Sequence, residues 1–300
     1  MEIHQLRAFV AIAQTGSFSR AALKCHVAQP SLSKSIQKLE AEADTKLFVR
    51  LKRRTSVTPA GNVLLARAQR ALGEIDAAKR ELADSHGLRK GSVTVGALPT
   101  ISPYFLPRVI TQFSQKCPGL EVTIVEETTN SLLKLVDACE VDLALTSLPI
   151  PNNGFTHETL FREELLLVVP STHRLAVQDK VTMNDLAQER FILMKDEHCL
   201  AGQVIIFCQE NDLHPAVVHR ASQIETVQSL VMSGVGISLV PQMARKNGRV
   251  SLVYRSLEKP TPTRSITVVW RKGREHTHAA TEFFDQLRQA ARAFTETLQK

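Results

Sequence analysis

Long apolar runs are missing from this 300-residue chain. The longest, such as Leu165 to Pro170, falls far short of the roughly 20 residues that span a bilayer, so no membrane segment is expected. The opening residues MEIHQLRAFVAIAQ place an acid at Glu2 and lack the basic start, apolar centre and small-residue cleavage site of a signal peptide. A cytoplasmic location is therefore expected. No CxxC pair and no HExxH pattern occurs, so neither a metal nor a cofactor is expected. The five cysteines, Cys25, Cys117, Cys139, Cys199 and Cys208, are odd in number, which argues against a disulfide framework. In a reducing compartment each defaults to a small buried hydrophobe.

What is present is an ordinary globular composition, 43% apolar and 22% charged, over a length that predicts two or three compact units. The net charge of +7 is concentrated at one end. Residues 1 to 90 hold 16 Lys/Arg against 8 Asp/Glu, and the remainder holds 21 against 22. Such asymmetry suits an arm that meets a polyanion joined to a body that does not, although a solvated basic face would look the same.

Ile3, Leu6, Phe9, Val10 and Ala13 fall at helical spacing and Gly16 ends the run, predicting a first amphipathic helix. Ser17 or Ser19 can cap a second short helix through Ala21, Ala22 and Leu23. A turn follows over His26 to Gln29, and Pro30 and Ser31 open a third helix carrying Leu32, Ile36 and Leu39. Its exposed face would present Gln29, Pro30, Ser31, Ser33, Lys34, Ser35 and Lys38, a set able to hydrogen-bond base edges and phosphates in a major groove. Next, Lys46 to Arg50 and Thr55 to Thr58 read as two short strands around the basic tip Lys52-Arg53-Arg54, with Arg50, Arg53 and Arg54 as DNA contacts. An amphipathic bundle with a solvated basic loop would account for the same pattern.

The stretch FVAIAQTGSFSRAALKCHVAQPSLSKSIQKLEAEADTKLFVR followed by RRTSVTPAG resembles the DNA-binding domain of LysR-type transcriptional regulators. The resemblance rests on the Gly-Ser-Phe turn (Gly16 to Phe18), the pair Ala21 and Ala22, the Gln-Pro-Ser-Leu-Ser start of the third helix, and Thr58 to Gly61. Ala43-Asp44 stands where the family has Leu-Gly, which predicts a looser turn before the wing. After Gly61 a helical pattern runs to about His86, with Leu65, Ala68, Leu72, Ile75 and Leu82 on one seam interrupted by Lys79. The seam can pack on its own domain; the resemblance implies a linker-helix pair that makes a dimer.

From Gly91 strands alternate with helices: Val93 to Leu98, Phe105 to Lys116, Val122 to Glu126, Leu132 to Cys139, then Leu143 to Ser147. That series predicts a parallel sheet with helices on both faces. A second series runs through Leu165 to Val169, Phe191 to Met194, Val217 to Ala221, Ile224 to Met232 and Ile237 to Val240. Strand Ser265 to Trp270 and helix Thr277 to Leu298 return to the first lobe. Two lobes sharing crossover strands would form a ligand cleft, and the region resembles LysR-type effector domains, which are similar to periplasmic binding proteins. Thr100 and Thr129 are placed beyond strand ends, where they suit a polar or anionic ligand or simply cap helices.

The segment Glu197-His198-Cys199-Leu200 through Cys208 is similar to the redox segment of the family's hydrogen-peroxide-sensing branch. There, a cysteine preceded by histidine and a second nine positions later form a reversible disulfide. The resemblance implies that Cys199 attacks peroxide and Cys208 resolves the sulfenic acid, that Thr100 and Thr129 hydrogen-bond the peroxide, and that His198 or Arg220 raises the thiolate fraction. Ala201-Gly202 stands where that branch has Arg-Asp, removing an acid beside the thiol. In a helix, nine residues at ~1.5 Å each separate the two Cα atoms by ~13 Å, whereas a disulfide needs them within roughly 7 Å; bridging would force refolding. Two thiols packed into a core by Val204, Ile205 and Ile206 are the alternative.

The expected architecture is α/β with an N-terminal all-α winged helix-turn-helix (1–60), a linker helix (61–90) and a two-lobed periplasmic-binding-protein-like effector domain (91–300). Lobe I takes about 91–162 and 265–300, lobe II about 163–264. The implied function is a transcription regulator, not an enzyme. Its partners would be double-stranded promoter DNA, its own copies as a homodimer or homotetramer, RNA polymerase, and either hydrogen peroxide or a small-molecule metabolite acting in the cleft without thiol chemistry. One consequence is testable: Lys34→Ala weakens DNA binding and reduces the slope of log affinity against log salt by about one. Unchanged affinity across several salt concentrations would displace the third helix from the DNA interface.

Overall fold

The computed structural model describes residues 1–50, 55–85, 91–151, 154–246 and 251–298. By internal contacts the chain divides into two units, Met1–His86 with Asp137–Glu140, and Gly87–Val136 with Val141–Lys300.

In the first unit α1 (Ile3–Thr15), α2 (Phe18–Lys24) and α3 (Gln29–Glu42) enclose a core of Leu6, Phe9, Ile12, Ala21, Leu32, Ile36 and Leu39. Gly16 ends α1 in the left-handed conformation, φ 63°, returning its N–H to the Ile12 carbonyl. Ser17 caps α2 by accepting from the Arg20 amide at 3.4 Å. The hairpin β1 (Phe48–Arg50) and β2 (Thr55–Val57) forms the wing, so this unit is not all helical. Phe48 roots it by packing on the rings of Phe9 and Phe18 at 5.2 and 5.9 Å.

The turn before the wing keeps a tight form. Asp44 adopts φ 44° where glycine would be expected, a conformation that Asp tolerates better than most residues. The expectation of a looser turn is thereby corrected. Glu40 then fixes the wing, its carboxylate accepting from the amides of Leu47 (2.9 Å) and Phe48 (3.3 Å) and from Lys46 Nζ at 2.9 Å.

The long helix α4 (Pro59–Ser85) begins against this core. Gly61 is obligatory there, since a Cβ would lie 2.4 Å from the Leu47 carbonyl oxygen. On the seam, Ala68 and Leu72 are buried in the unit's own core with Leu65 packed against it, whereas Leu82 is 64% exposed.

The second unit carries two apolar cores. One surrounds β3 (Gly91–Ala97), β4 (Leu120–Glu126) and β5 (Leu143–Ser147) with α5 (Ser102–Lys116), α6 (Thr129–Asp137) and α9 (His278–Leu298). The other surrounds β7 (Arg190–Met194), β8 (Ala216–Ala221), β9 (Ser238–Pro241) and β10 (Leu252–Arg255) with α7 (Cys199–Glu210) and α8 (Ile224–Met232).

β4, β3 and β5 form the expected parallel array, and β7 and β8 pair parallel in the other lobe. The crossing strands make the larger sheet mixed: β6 (Phe155–Pro170) and β11 (Thr263–Arg271) run antiparallel to each other, and β11 runs antiparallel to β5. The physical reason is connectivity, for the chain leaves one lobe along β6 and returns along β11, so these strands meet head to tail. The 16-residue β6 serves both lobes, pairing with β11 over its first part and with β9 and β10 from Leu165 onward.

Burial alone would raise the Glu40 carboxyl, but the bonds from Lys46, Leu47 and Phe48 outweigh it and hold it below the usual range. A depressed folded value stabilises the fold above the unfolded carboxyl range and is lost as pH falls through the folded value. Glu40→Gln should therefore cost about 1–2 kcal/mol at neutral pH, with a smaller difference from wild type in denaturant titrations at acid pH.

Candidate functional site

Two surfaces carry the chemistry that the sequence points to, one in each unit. On α3, Leu32, Ile36 and Leu39 face the core while Gln29, Pro30, Ser31, Lys34 and Lys38 are exposed and Ser33 and Ser35 half-buried. Ala28 precedes the helix without a side-chain cap, leaving first-turn amides available to an anion. Gln29 is held by a bond from Ser19 Oγ to its Oε1 at 2.9 Å, which leaves its amide hydrogens outward. Arg50 lies at the end of β1. Arg53 and Arg54, expected at the wing tip, fall outside the described residues.

The second surface is the start of α7. His198 holds the N-cap position in extended backbone and Cys199 is the first helical residue. Cys199 is half-buried, and Cys208, nine residues on, is sealed at 0% exposure in the core below. The segment is helical throughout, so its geometry sets the two Cα atoms ~13 Å apart. Val204 is buried beside Cys208, but Ile206 is 54% exposed, so the apolar run does not pack as one block. Ala201 is buried and a side chain at Gly202 would meet open space.

Arg264 on β11 organises what lies around Cys199. Its Nη1 donates to Thr100 Oγ1 at 3.0 Å and its Nη2 to the Thr100 carbonyl at 2.9 Å. Its Nε donates to Glu163 Oε1 at 2.8 Å, both side chains being wholly buried. Glu163 Oε2 in turn accepts the Met243 amide at 2.9 Å, from the turn Gln242–Ala244. Burial pushes the Cys199 thiol up; the Arg264 charge, the Thr129 hydroxyl and the first-turn amides of α7 oppose it. Cys208 has only burial acting on it and is pushed up to about 11.

Two buried polar atoms near the thiol have no hydrogen-bond partner, Thr129 Oγ1 and His198 Nε2. The Thr129 hydroxyl lies close enough to the sulfur to favour its charged form without a bond of full geometry. The nearest carboxylate oxygen to His198 Nε2, that of Glu197, is 3.9 Å away. Unpaired buried polar groups are costly, and these two suit a small polar molecule at the sulfur.

The structure thus sets Thr129 and Arg264 at Cys199, joins Thr100 to them through Arg264, has His198 as the preceding residue, and engages Arg220 elsewhere. Arg220 donates to Asp196 Oδ1 at 2.5 Å and to the Met194 carbonyl at 3.4 Å. The expectation that Arg220 acts on Cys199 is corrected: its charge is held by Asp196, and Arg264 is the cation that reaches the thiol. The sequence reading passed over Arg264 and Glu163. A signal exists in strand parity, because Arg264 alternates with buried Ile266 and Val268, and Glu163 with buried Phe161 and Leu165. Charged residues on a buried face demand partners. Gln203, one turn beyond Cys199, was also missed; its Nε2 donates to Ser147 Oγ (2.8 Å) and the Leu148 carbonyl (2.7 Å), tying α7 to the other lobe.

Two family profiles match: "Bacterial regulatory helix-turn-helix protein, lysR family" over residues 3–62 and "LysR substrate binding domain" over residues 86–292. A hydrogen peroxide-inducible genes activator of Pectobacterium carotovorum is 33% identical over 302 residues, covering 100% of both chains. The DNA-binding transcriptional dual regulator OxyR of Escherichia coli is 35% identical over 295 residues, covering 98% of this chain and 95% of that one. Among solved structures, a cysteine-to-aspartate variant of full-length OxyR from Pseudomonas aeruginosa is similar with TM-score 0.76 and 28% identity, over 97% of this chain and 95% of that one.

The geometry predicts that native-state alkylation labels Cys199 while Cys208 reacts only after unfolding. Thr129→Val should slow Cys199 labelling by less than the roughly fivefold that a full hydrogen bond worth about 1 kcal/mol would give, measured by peptide mass spectrometry.

Proposed function

This chain belongs to the LysR family of bacterial regulatory helix-turn-helix proteins, and we propose that it is a DNA-binding transcription regulator switched by hydrogen peroxide through Cys199 and Cys208. The observation that carries the reading is the half-buried Cys199 at the first turn of α7, set beside a buried arginine and two unpaired polar groups. Relatives described as hydrogen peroxide-inducible genes activators support it.

The working division is a winged helix-turn-helix at 1–60, a linker helix at 61–90 and a sensing region at 91–300. DNA is read by Gln29, Pro30, Ser31, Ser33, Lys34 and Lys38, with Arg50, Arg53 and Arg54 on phosphates. The partners are promoter DNA, copies of the same chain paired through α4, and RNA polymerase at the promoter. The chain acts in the cytoplasm as a regulator rather than as an enzyme.

The Cys199 thiolate attacks one peroxide oxygen; the O–O bond breaks, and the departing hydroxide takes a proton to leave as water. Thr100, Thr129 and His198 surround the reacting oxygens. The Cys208 sulfur then displaces the sulfenic oxygen as a second water, so two thiols and one peroxide yield one disulfide and two waters. Because a bond between the sulfurs needs Cα atoms within roughly 7 Å, α7 must unwind. In doing so it draws Cys208 out of its core and releases the bonds of Gln203 to Ser147 and Leu148. That refolding is the event able to change how two copies present their recognition helices.

Equimolar hydrogen peroxide should consume two thiols per chain and give an intramolecular Cys199–Cys208 peptide by mass spectrometry. Cys208→Ser should stop at a sulfenic acid trapped by dimedone. If both thiols stay reduced while DNA binding answers to a metabolite, the chain is a metabolite-controlled regulator instead.

A further inference from the structure

Glu163 sits one residue behind the machinery described above: it touches neither Cys199 nor any surface, and it holds the arginine that does the work. Both side chains are at 0% exposure, so the pair exchanges no charge with solvent. Three of the guanidinium nitrogens are committed in fixed directions, Nε to Glu163 and the two Nη atoms to Thr100. The Met243 amide fixes the second oxygen of Glu163, so the carboxylate cannot swing away.

The thiolate of Cys199 and the carboxylate of Glu163 therefore compete for one positive charge. We propose that Glu163 is a positioning and tuning residue that orients Arg264 toward Thr100 and Cys199 while withholding part of its charge, so that the resting thiol stays largely protonated and the sensor's threshold for peroxide is set high. This rests on the peroxide-sensing reading of Cys199 and adds to it the group that sets sensitivity. A carboxylate opposes a second negative charge in a dry site, and removing it while keeping an acceptor for Arg264 Nε makes the sulfur easier to ionise.

The other groups facing the thiol do not duplicate this role. Thr129 opens α6 and Thr100 follows β3, and both carry only hydroxyls. His198 precedes Cys199, with the Glu197 carboxylate 3.9 Å from its ring. Tyr104 of α5 lies near enough to Arg264 to feel its charge, and its hydroxyl donates to Glu225 of α8 at 2.6 Å. Glu225 bonds the tyrosine, whereas Glu163 bonds the cation itself.

The test is the pH profile of Cys199 alkylation by iodoacetamide in the full-length reduced protein, read at the Cys199 peptide. E163Q should move the midpoint down by about one unit and speed labelling at pH 7 by about tenfold. E163D, whose shorter acid retreats from Arg264, should move it the same way by less, and remains readable if E163Q does not accumulate folded. In the double variant E163Q/R264M the midpoint should rise above that of E163Q, because the charge being withheld is gone. A midpoint unchanged or raised in both single variants overturns the proposal and leaves Glu163 a structural counterion. Since iodoacetamide reports the thiol directly, that outcome is distinct from a failure of wild-type Cys199 to react with peroxide, which would overturn the sensing reading instead.

Discussion

The buried pair of Arg264 and Glu163 is the constraint around which the surroundings of Cys199 are arranged. Neither side chain reaches solvent, and a charge stripped of its partner in such a place is strongly destabilising. Each hydrogen-bonding direction that the pair uses therefore becomes a fixed strut: toward Thr100 at the end of β3, and toward Met243 in the turn after β9. Because β6 supplies Glu163 and β11 supplies Arg264, the pair also locks the two crossing strands that join the lobes. A thiol placed at the start of α7 inherits this preorganisation without contributing to it.

The reactive end of α7 and its buried end have opposite requirements. At Cys199 the helix offers amides, a nearby cation and partial exposure, all of which favour chemistry. Cys208 lies in an apolar core, and burial pushes its thiol up and out of reach. About two and a half helical turns keep them apart, and Gln203 pins the helix to the opposite lobe. The reduced state is thus held by helix packing rather than by any direct barrier between the sulfurs, and packing of this kind yields in discrete steps.

Much of the first unit was legible because its determinants are local. Helical spacing of Leu6, Phe9 and Ile36, the stop at Gly16 and the cap at Ser17 all act within a few residues, and the structure follows them closely. Asp44 was read as loosening a turn because the pattern there has glycine; the side chain accepts the left-handed conformation and the turn stays tight. In the second unit, Leu143–Ser147 and Ile224–Met232 were read with their observed ends. The parallel order of β4, β3 and β5 was legible in the alternation of strands and helices, whereas the antiparallel course of β6 and β11 was not, since strand direction depends on which strands meet and nothing within a strand encodes its partner.

By itself, then, the amino-acid order determined the elements, the exposed face of α3 and the spacing of Cys199 and Cys208, because periodicity, capping and helix rise are properties of neighbouring residues. Only the tertiary structure decided which cation serves the thiol. Arg220 is nearer in sequence but is bound by Asp196, while Arg264 arrives from a strand 65 residues from Cys199 and is turned inward by Glu163, 101 residues before it. Charges act through space and through the groups that neutralise them, and neither distance nor partner is written in chain order.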